Sequence, residues 1–435
     1  MNSKRTAAHA DRPTTRRDFL RRAGSVAGTV AAASALTARS YARVLGANDR
    51  IGIGMIGCGG RGSYTMTTLK EMQAAGGNFE IVAVCDTYRR RLNKAADAHK
   101  AKPYMDHREL LADPKVDVVG ITTPDHIHGY QVIDAVQAGK DVYCEKPITH
   151  WRQFELTKRM TAEVQKSGRV FQLGSQGMSN NAWHQARKLI VDGLIGQPIH
   201  AECGYFRVGD WGEAGMPIDD PNAMPGPDLN WEAFLGDSPK KPFDVSRYFR
   251  WRLYEDYSGG QATDLYPHCL TPTLYMLGVG MPVSAVSSAG TYRYFECKER
   301  EVPDTSNLIV DYPEKITVVI LGTQGNNFFA TDEMGSVGRA PTIRGWEGTL
   351  SFTTKEIIFT PAQGSKKQPQ RWPTEHGVEL NPHYQDFLDC CRSRKQPKSP
   401  VDLAFKVQTA LQMGILSWRA GKTARFDKDK ETIVV

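Results

Sequence analysis

Residues 51–62 read Ile-Gly-Ile-Gly-Met-Ile-Gly-Cys-Gly-Gly-Arg-Gly, and this stretch decides the fold. Its first half, Ile51–Ile56, is a short apolar run of the kind that forms a buried strand. The second half matches the pattern G-x-G-x-x-G, in which Gly57 permits a tight turn, Gly59 lets the backbone approach a pyrophosphate, and Gly62 lets a helix pack closely on the strand. The stretch therefore predicts a strand, a phosphate-binding turn and a helix N-terminus.

The pattern around this stretch alternates short apolar runs with amphipathic segments. The predicted strands are Ile51–Ile56, Phe79–Cys85, 116–122, 141–144 and 170–173, and the predicted helices lie near 63–75, 89–100, 130–138 and 152–166. Strands that alternate with helices at this spacing predict a parallel, doubly wound sheet. We therefore predict an α/β protein with a Rossmann domain over residues 43–174.

An acidic residue, Asp86, follows the second predicted strand and stands 24 residues after Gly62. A ribose-binding acid is expected near this spacing, and its carboxylate would accept hydrogen bonds from ribose hydroxyls and repel a 2′-phosphate. Asp86 therefore favours NAD over NADP as the cofactor. Three neighbouring arginines, Arg89, Arg90 and Arg91, keep NADP as the alternative, and an ordinary turn residue is the simpler interpretation of Asp86 taken alone.

The second part of the chain has a different pattern of apolar and polar residues. A helix is predicted around 181–192 and a strand at 199–206, followed by a long irregular stretch over 207–258. Alternating runs at 283–295, 307–312, 315–321 and 349–360 predict a largely antiparallel sheet with one buried face. We predict a second α/β domain over 175–435, in which residues 382–435 form a helical tail that packs back on the Rossmann domain.

The N-terminal segment has the composition of an export signal. Residues 15–22 read Thr-Arg-Arg-Asp-Phe-Leu-Arg-Arg, and residues 23–38 are mostly small or weakly apolar. A basic region, an apolar region and small-residue cleavage options predict a secretory signal over 1–42, and the pair Arg16-Arg17 is typical of the twin-arginine subclass. We expect recognition by the twin-arginine machinery and a periplasmic or otherwise exported protein. A disordered basic tail is the alternative.

The positive charge of the chain is concentrated in this segment. The whole chain carries +7, and residues 1–42 hold eight Lys or Arg and two Asp, so +1 remains for the other residues. That balance gives no support to nucleic-acid binding. No uninterrupted apolar run of about twenty residues follows the signal, so we expect no membrane span there. The eight cysteines form no C-x-x-C pair and predict no zinc framework.

Residues 144–147, Cys-Glu-Lys-Pro, directly follow a predicted strand. Ligands of doubly wound sheets gather at the carboxyl ends of strands, which places Lys146 on the same rim as the glycine turn. An ammonium there could donate a hydrogen bond to a substrate hydroxyl and stabilise the charge that develops on its oxygen as hydride leaves the carbon. Taken alone, a solvated turn is the simpler interpretation of Glu145 and Lys146.

Further motifs give these residues a context. They are 122–128 (Thr-Thr-Pro-Asp-His-Ile-His), 145–147 (Glu-Lys-Pro), 174–176 (Gly-Ser-Gln), 231–236 (Trp-Glu-Ala-Phe-Leu-Gly), 259–268 (Gly-Gly-Gln-Ala-Thr-Asp-Leu-Tyr-Pro-His) and 383–388 (His-Tyr-Gln-Asp-Phe-Leu). In this order, together with the glycine motif and Asp86, they make the chain resemble the family of glucose–fructose oxidoreductase, inositol 2-dehydrogenase and MocA. The resemblance covers nearly all residues after the signal.

The resemblance implies that the second domain is built on a large, mostly antiparallel open sheet and that the nicotinamide end of NAD lies in a cleft between the two domains. It further implies that the protein forms homodimers or homotetramers. It also implies that Lys146 and an Asp-x-x-x-His element, matched by Asp264 and His268, surround the reacting carbon. In this scheme His268 is the general base, Asp264 orients the site, and Lys146 stabilises the alkoxide. The predicted cofactor contacts are Gly57, Cys58, Gly59, Gly60, Arg61, Gly62, Asp86, Thr123, Pro124, His128, Glu145, Lys146 and Gln176.

Two details of the implied site leave alternatives. If the segment is helical, the i, i+4 spacing puts Asp264 and His268 on one helical face, but Pro267 suits the first turn of a helix, which would leave Asp264 before it. The pair His126 and His128 has no third ligand at a sensible spacing, so we predict no metal. Arg252 is a further candidate for a substrate contact.

These features predict an NAD-dependent oxidoreductase that moves a hydride to or from a sugar, a polyol or a related carbohydrate. Because nicotinamide cofactors are scarce outside the cytoplasm, export predicts a tightly held NAD that is recycled within the catalytic cycle. A redox-assisted glycosidase, resembling the exported NAD-dependent N-acetylgalactosaminidases, is the alternative, and it would cleave glycosides with no net change in NADH. A sugar-binding protein with a relic Rossmann domain is a third interpretation.

Overall fold

Six parallel strands form the N-terminal sheet in the order β3-β2-β1-β4-β5-β6. The computed structural model describes residues 50–208, 216–328, 340–374 and 380–435, so the predicted signal over 1–42 lies outside the described residues. The elements of this domain are β1 Ile51–Ile56, α1 Gly60–Ala74, β2 Phe79–Cys85, α2 Arg89–His99, β3 Lys102–Tyr104, α3 His107–Ala112, β4 Val118–Ile121, α4 Asp125–Gln137, β5 Asp141–Glu145, α5 Phe154–Ser167 and β6 Phe171–Gly174.

The central strands of this sheet are buried along their whole length. Every residue of β1, β4, β5 and β6 is buried, as expected for parallel strands covered by helices on both faces. The strand order has its switch point between β1 and β4, and it confirms the predicted Rossmann fold. The three-residue strand β3 and the short helix α3 were not predicted, because neither is long enough to show a period.

Helix α4 begins earlier than its predicted start at residue 130. It begins at Asp125, directly after Pro124, and nearly all of its first half is buried. A helix buried on all sides has no amphipathic stripe, so the periodicity that locates its second turn is missing from its first.

The second domain is built on an eleven-stranded sheet in the order β15-β14-β13-β12-β7-β10-β9-β8-β16-β17, with β11 paired to β7. Only β7 and β10 run parallel among its paired strands, so the prediction of a mostly antiparallel sheet is confirmed for the described residues. The strands are β7 Pro198–Val208, β8 Ser284–Gly290, β9 Thr305–Tyr312, β10 Ile316–Thr323, β11 Gly325–Asn326, β12 Thr342–Gly345, β13 Gly348–Phe352, β14 Glu356–Pro361, β15 Gln370–Pro373, β16 Ala424–Asp427 and β17 Thr432–Val434.

One face of this sheet is covered by helices. Along β9, Ser306, Leu308 and Val310 are buried and the alternate residues are exposed, which is the pattern of a sheet with one packed face. The helices of this domain are α6 Asn181–Val191, α7 Trp231–Leu235, α8 Val245–Phe249, α9 Gln261–Asp264, α10 Pro267–Leu277, α11 Leu380–Ser393 and α12 Val401–Ala420, with 3₁₀ turns at Gln176–Ser179 and Trp251–Leu253.

The stretch over 207–258 is less irregular than predicted. Its described residues from 216 to 258 carry the short helices α7 and α8 and one of the 3₁₀ turns, and their buried aromatic side chains form one cluster with Tyr88 of the Rossmann domain. Helices of five residues are too short to show a 3.6-residue period. Packing among aromatic rings, rather than local periodicity, organises this part of the chain.

The prediction that residues 382–435 are helical throughout is wrong at the C-terminal end. Helices α11 and α12 are followed by the strands β16 and β17, and β16 pairs with β8 in the large sheet. The tail also contacts the Rossmann domain, where the ring of Tyr384 stacks on that of Tyr143 with centroids 4.1 Å apart. Arg394 of the same tail donates to Asp141 at 2.6 Å.

None of the helices that the structure describes is both long and apolar enough to cross a membrane. The eight cysteines all lie in the described residues and form no disulfide with one another; seven are buried, and Cys297 is half-buried.

Candidate active site

A cavity of about 600 Å³ opens at the carboxyl ends of the parallel strands. The glycine turn after β1 and the residues that follow β2, β4 and β5 line it on the Rossmann side. Ligands of doubly wound sheets bind at this edge, so the cavity is the candidate active site. The second domain supplies the rest of its wall, including Met216, Asn230, Trp251, Arg252 and His268.

The glycine turn has the shape of a phosphate cradle. Gly57 has a φ of +95°, and a Cβ on Gly62 would lie 1.9 Å from the carbonyl oxygen of Gly57. Helix α1 begins at Gly60, and no side chain caps its N-terminus, so its first N–H groups can bind an anion. The residues present therefore fit the pyrophosphate of a dinucleotide.

The carboxylate of Asp86 connects this turn to the end of β2. Its oxygens accept hydrogen bonds from the backbone N–H of Cys58 at 2.7 Å and from that of Tyr88 at 2.9 Å. Burial raises the pKa of Asp86 above its usual range. Each carboxylate oxygen has a second lone pair, which a ribose hydroxyl could use. Arg91 lies on the other side of Gly59, with its guanidinium 3.2 Å from the position of a Cβ there, so an acid and a cation share this end of the cavity.

A second ion pair lies beside the turn. Arg61 donates from Nε to Oε1 of the buried Glu145 at 2.7 Å, and its Nη2 lies 3.5 Å from Oε1 of Gln176. All three residues line the cavity. The pair joins the beginning of α1 to the end of β5, which fixes the position of the neighbouring Lys146.

Lys146 is held by Asp264. Its ammonium donates to Oδ1 of Asp264 at 2.7 Å and to the backbone carbonyl of the same residue at 2.5 Å. Two of its three N–H groups are thus directed at Asp264, and the third is available to a ligand. Burial alone would raise the pKa of Asp264, but the charges of Lys146 and Arg252 outweigh it and hold that pKa well below its usual range.

Asp264 and His268 do not share a helix. Asp264 ends the short helix α9, and Pro267 begins α10, so the alternative that Pro267 suggests is correct and the prediction of one shared helical face is wrong. His268 lines the cavity together with Lys146, whereas Asp264 lies behind the wall. The arrangement gives the cavity an ammonium, supported from behind by a carboxylate, and an imidazole.

Asp125 is a further acid at this site that the sequence did not single out. It begins α4, it lines the cavity, and its Oδ2 accepts a hydrogen bond from the hydroxyl of Thr263 at 3.4 Å. Burial raises its pKa to about 8, against the opposing charge of Arg252. The signal was its position directly after Pro124, at the carboxyl end of β4 in the switch region of the sheet.

The two histidines of the His-x-His pair hold backbone together. His126 bonds through Nε2 to the carbonyl of Phe234 at 2.6 Å, and burial lowers its pKa to about 4. The ring nitrogens of His128 lie 2.6 Å from the carbonyl of Pro147 and 2.7 Å from that of Thr123. Within the described ranges no group of three or more His, Cys, Asp or Glu is placed to hold a metal ion.

Residues 216–258, which we call the covering segment, are joined to the Rossmann domain beside Asp86. The backbone N–H of Asn230 donates to the carbonyl of Thr87 at 2.9 Å, and the hydroxyls of Thr87 and Tyr248 lie 2.9 Å apart. Arg91 pairs with Asp219 at 2.6 Å, and Arg89 pairs with Asp228 at 2.9 Å. The segment therefore encloses the end of the cavity where Asp86 lies.

Comparison with known proteins identifies the family. A family model described as "Oxidoreductase family, NAD-binding Rossmann fold" matches residues 51–175, and its companion, "Oxidoreductase family, C-terminal alpha/beta domain", matches residues 179–319. The chain belongs to the Gfo/Idh/MocA oxidoreductase family.

Relatives within the Gfo/Idh/MocA family include dehydrogenases of small carbohydrates. Inositol 2-dehydrogenase of Salmonella typhimurium is 32% identical over 158 residues, which are 36% of this chain and 44% of that enzyme. Levoglucosan dehydrogenase of Pseudarthrobacter phenanthrenivorans is 31% identical over 151 residues, 33% of this chain and 35% of that enzyme. The matches thus span less than half the length of these relatives.

Solved structures share the fold of this Gfo/Idh/MocA chain. A levoglucosan dehydrogenase in complex with NADH aligns with a TM-score of 0.64 at 18% identity, over 87% of this chain and 99% of that one. An NAD binding oxidoreductase from Klebsiella pneumoniae aligns with a TM-score of 0.66 at 21% identity, over 87% of this chain and 100% of that one. At these identities the alignments show the fold alone.

The structure brings most of the predicted Gfo/Idh/MocA site residues to the cavity wall. Those that line it are Gly57, Gly59, Gly60, Arg61, Asp86, Thr123, Pro124, Glu145, Lys146, Gln176, Arg252 and His268. Those that do not line it are Cys58, Gly62, His128 and Asp264, and each of them instead holds a neighbour of the cavity in place. The lining residues that the sequence missed include Asp125 and Asn230, of which Asn230 belongs to a stretch without periodicity.

Proposed function

We propose that this protein is an NAD-dependent oxidoreductase that moves a hydride to or from a sugar, a polyol or a related carbohydrate. One observation carries the proposal: Lys146 and His268 line the same cavity as the glycine turn. The Asp86 carboxylate favours NAD over NADP, although Arg91 beside it keeps the second cofactor as the alternative. Bound in the cavity, NAD supplies the hydride acceptor or donor.

Residues of the chain transfer the proton and stabilise the negative charge that develops on the substrate oxygen. In the oxidising direction His268 accepts the proton of the substrate hydroxyl as the general base. The free N–H of Lys146 donates to the same oxygen and stabilises the negative charge on it. Asp264 directs two other N–H groups of Lys146 and so fixes the ammonium.

A tightly held cofactor is part of the proposal. The covering segment closes the ribose end of the cavity through the ion pairs of Arg89, Arg90 and Arg91 and several hydrogen bonds, and these contacts oppose the release of NAD. Retention suits an exported enzyme that would fold and load its cofactor before export. Export by the twin-arginine machinery and assembly into homodimers or homotetramers stay predictions.

The proposal is tested by mixing the purified protein, supplied with NAD if it contains none, with a panel of sugars, polyols and glycosides. We expect NADH absorbance to appear with at least one alcohol, and the His268→Gln variant to bind NAD but turn over slowly. Net cleavage of glycosides without any change in NADH would favour the glycosidase alternative. The relatives above are named dehydrogenases, which favours net oxidation.

A further inference from the structure

The carboxylate of Asp264 lies among three cations. Burial alone would raise the pKa of Asp264, but the charges of Lys146, Arg252 and Arg207 together lower it, so it is ionised. Lys146 and Arg252 also donate hydrogen bonds to its Oδ1, at 2.7 and 3.3 Å. One negative charge is thus shared among three positive charges in a largely buried part of the molecule.

Arg207 reaches this place from the large sheet. It follows Tyr205 by two residues on β7, so both side chains lie on the same face of the strand. The ring of Tyr205 is 6.0 Å from that of His268, and the carbonyl of Tyr205 accepts from the amide of Gln261, so this face is the one towards α9 and α10. The Nε and Nη2 atoms of Arg207 are buried and have no hydrogen-bond partner in the described part of the chain.

The second carboxyl of the site does not balance these charges. Asp125 accepts its hydrogen bond from a neutral hydroxyl, that of Thr263, rather than from a cation. Its burial favours the protonated, neutral form and raises its pKa to about 8. Among the residues that the structure describes, the cations Lys146, Arg252 and Arg207 therefore outnumber the ionised carboxyls at the reacting end of the cavity at neutral pH. Buried cations without a counter-charge are unfavourable, so a ligand that supplies the missing charge gains affinity.

We propose that the substrate is an anionic carbohydrate, a sugar acid whose carboxylate is bound by Arg252, while Arg207 adds its positive charge from behind the cavity wall. Arg252 lines the cavity, and its guanidinium lies over the ring of Trp251 at 4.2 Å, which holds its plane. Arg207 lies behind the wall and adds its charge there. A planar guanidinium matches a carboxylate through paired hydrogen bonds. The inference rests on the proposed function, since it specifies the substrate of the same cavity.

The test compares sugars that differ only in the acid group. Binding of D-glucuronate and D-glucose, and of D-galacturonate and D-galactose, is measured by isothermal titration calorimetry on the cofactor-loaded protein, with D-glucose 6-phosphate as a further anion. We expect at least one acid to bind about tenfold more tightly than its neutral partner, because its carboxylate is attracted by the positive charges of Arg252 and Arg207. That preference should fall to about onefold in Arg207→Gln and in Arg252→Gln.

The exposed Arg371, which pairs with Glu356 on the outer strands, provides the matched control, and Arg371→Gln should keep the preference. Neutral sugars that bind as tightly as their acids would overturn the inference, and if they are also oxidised, the proposed function stands. A preference that survives in Arg207→Gln and Arg252→Gln would overturn it too. Tight binding of the phosphate alone would contradict carboxylate recognition. If no sugar binds or is oxidised, both proposals are wrong.

Discussion

At the residue scale, the site depends on buried charges that hold one another. Lys146 has its position because Asp264 accepts two of its hydrogen bonds, and Asp264 stays ionised because cations surround it. Removing one partner of a buried pair leaves the other without compensation, which destabilises the fold more than the pair itself stabilises it. Function and stability are therefore coupled at this pair.

The coupling predicts the behaviour of variants at Lys146. Lys146→Met should lower kcat by about 10²–10³-fold, because it removes a donor to the developing oxyanion. It should lower the free energy of unfolding by less than the roughly 3 kcal/mol of a fully uncompensated buried charge, because Arg252 still donates to Asp264 and Arg207 still adds its charge. Denaturant unfolding and steady-state kinetics measure the two effects.

The double variant Lys146→Met/Asp264→Asn separates the effect on kcat from the effect on the free energy of unfolding. It should be less stable than Lys146→Met and stay inactive, because it leaves the charges of Arg252 and Arg207 without their carboxylate. Equal stability of the single and the double variant would contradict a buried, charged Asp264.

Asp125 predicts a pH dependence of stability. Its pKa is raised by burial to about 8 in the folded protein, whereas an unfolded Asp titrates near about 4. Below about pH 4 the carboxyl is protonated in both states. Between about pH 4 and 8 the folded state keeps a proton that the unfolded state releases, so the contribution of Asp125 to the free energy of unfolding falls as the pH rises through this window.

The Asp125→Asn variant should not show this fall in the free energy of unfolding as the pH rises. Its free energy of unfolding relative to wild type should therefore increase from about pH 5 to about pH 8 and level off above that. Denaturant titrations at several pH values measure the difference. A difference that does not change with pH would show that Asp125 is ionised in the folded protein.

At the element scale, two features shape the cofactor end of the cavity: the glycine turn between β1 and α1, and the covering segment. The turn was predictable because its residues are consecutive and each glycine has a local steric reason. The covering segment was not, because its short helices have no period and its order comes from aromatic rings that meet only in the folded chain. The sequence did not single out Asp125 for a related reason. Its helix is buried on all sides and therefore has no amphipathic pattern that would locate its first turn.

The close packing of the glycine turn predicts the effect of a side chain at Gly62. A Cβ on Gly62 would lie 1.9 Å from the carbonyl oxygen of Gly57, so Gly62→Ala should lower the free energy of unfolding by about 3 kcal/mol and abolish binding of the dinucleotide. A Cβ on Gly177 would meet no atom within 4 Å, so Gly177→Ala is the matched control and should change neither property. Melting temperature and NAD titration measure both, and normal NAD binding by Gly62→Ala would count against the turn as the phosphate site.

The covering segment predicts the lifetime of the bound cofactor. Asp219→Asn and Asp228→Asn together remove its ion pairs to Arg91 and Arg89. We expect NAD to dissociate about fivefold faster, because partly exposed pairs contribute up to about 1 kcal/mol each. Asp389→Asn, which removes an ion pair to Arg392 within α11, is the control. Stopped-flow displacement of NADH measures the rate, and an unchanged rate in the double variant would show that the segment does not retain the cofactor.

At the scale of the whole molecule, the sequence located the two-domain plan and most of the cavity wall. The order of the motifs indicated that Lys146, His268 and the glycine turn belong to one site. Only the fold shows which side chains line the cavity and which lie behind it. The C-terminal strands β16 and β17 escaped prediction because they are short and complete a sheet whose other strands lie far away in sequence. Long-range pairing of this kind leaves no local pattern.

The central claim is that the cavity holds a resident nicotinamide dinucleotide that exchanges hydride with a carbohydrate. The most direct measurement is to purify the protein without added cofactor, denature it, and identify the small molecules released. We expect about one equivalent of NAD(H) per chain, whose redox state changes when a sugar substrate is added before denaturation. A protein that releases no dinucleotide and also fails to bind added NAD or NADP would contradict the account.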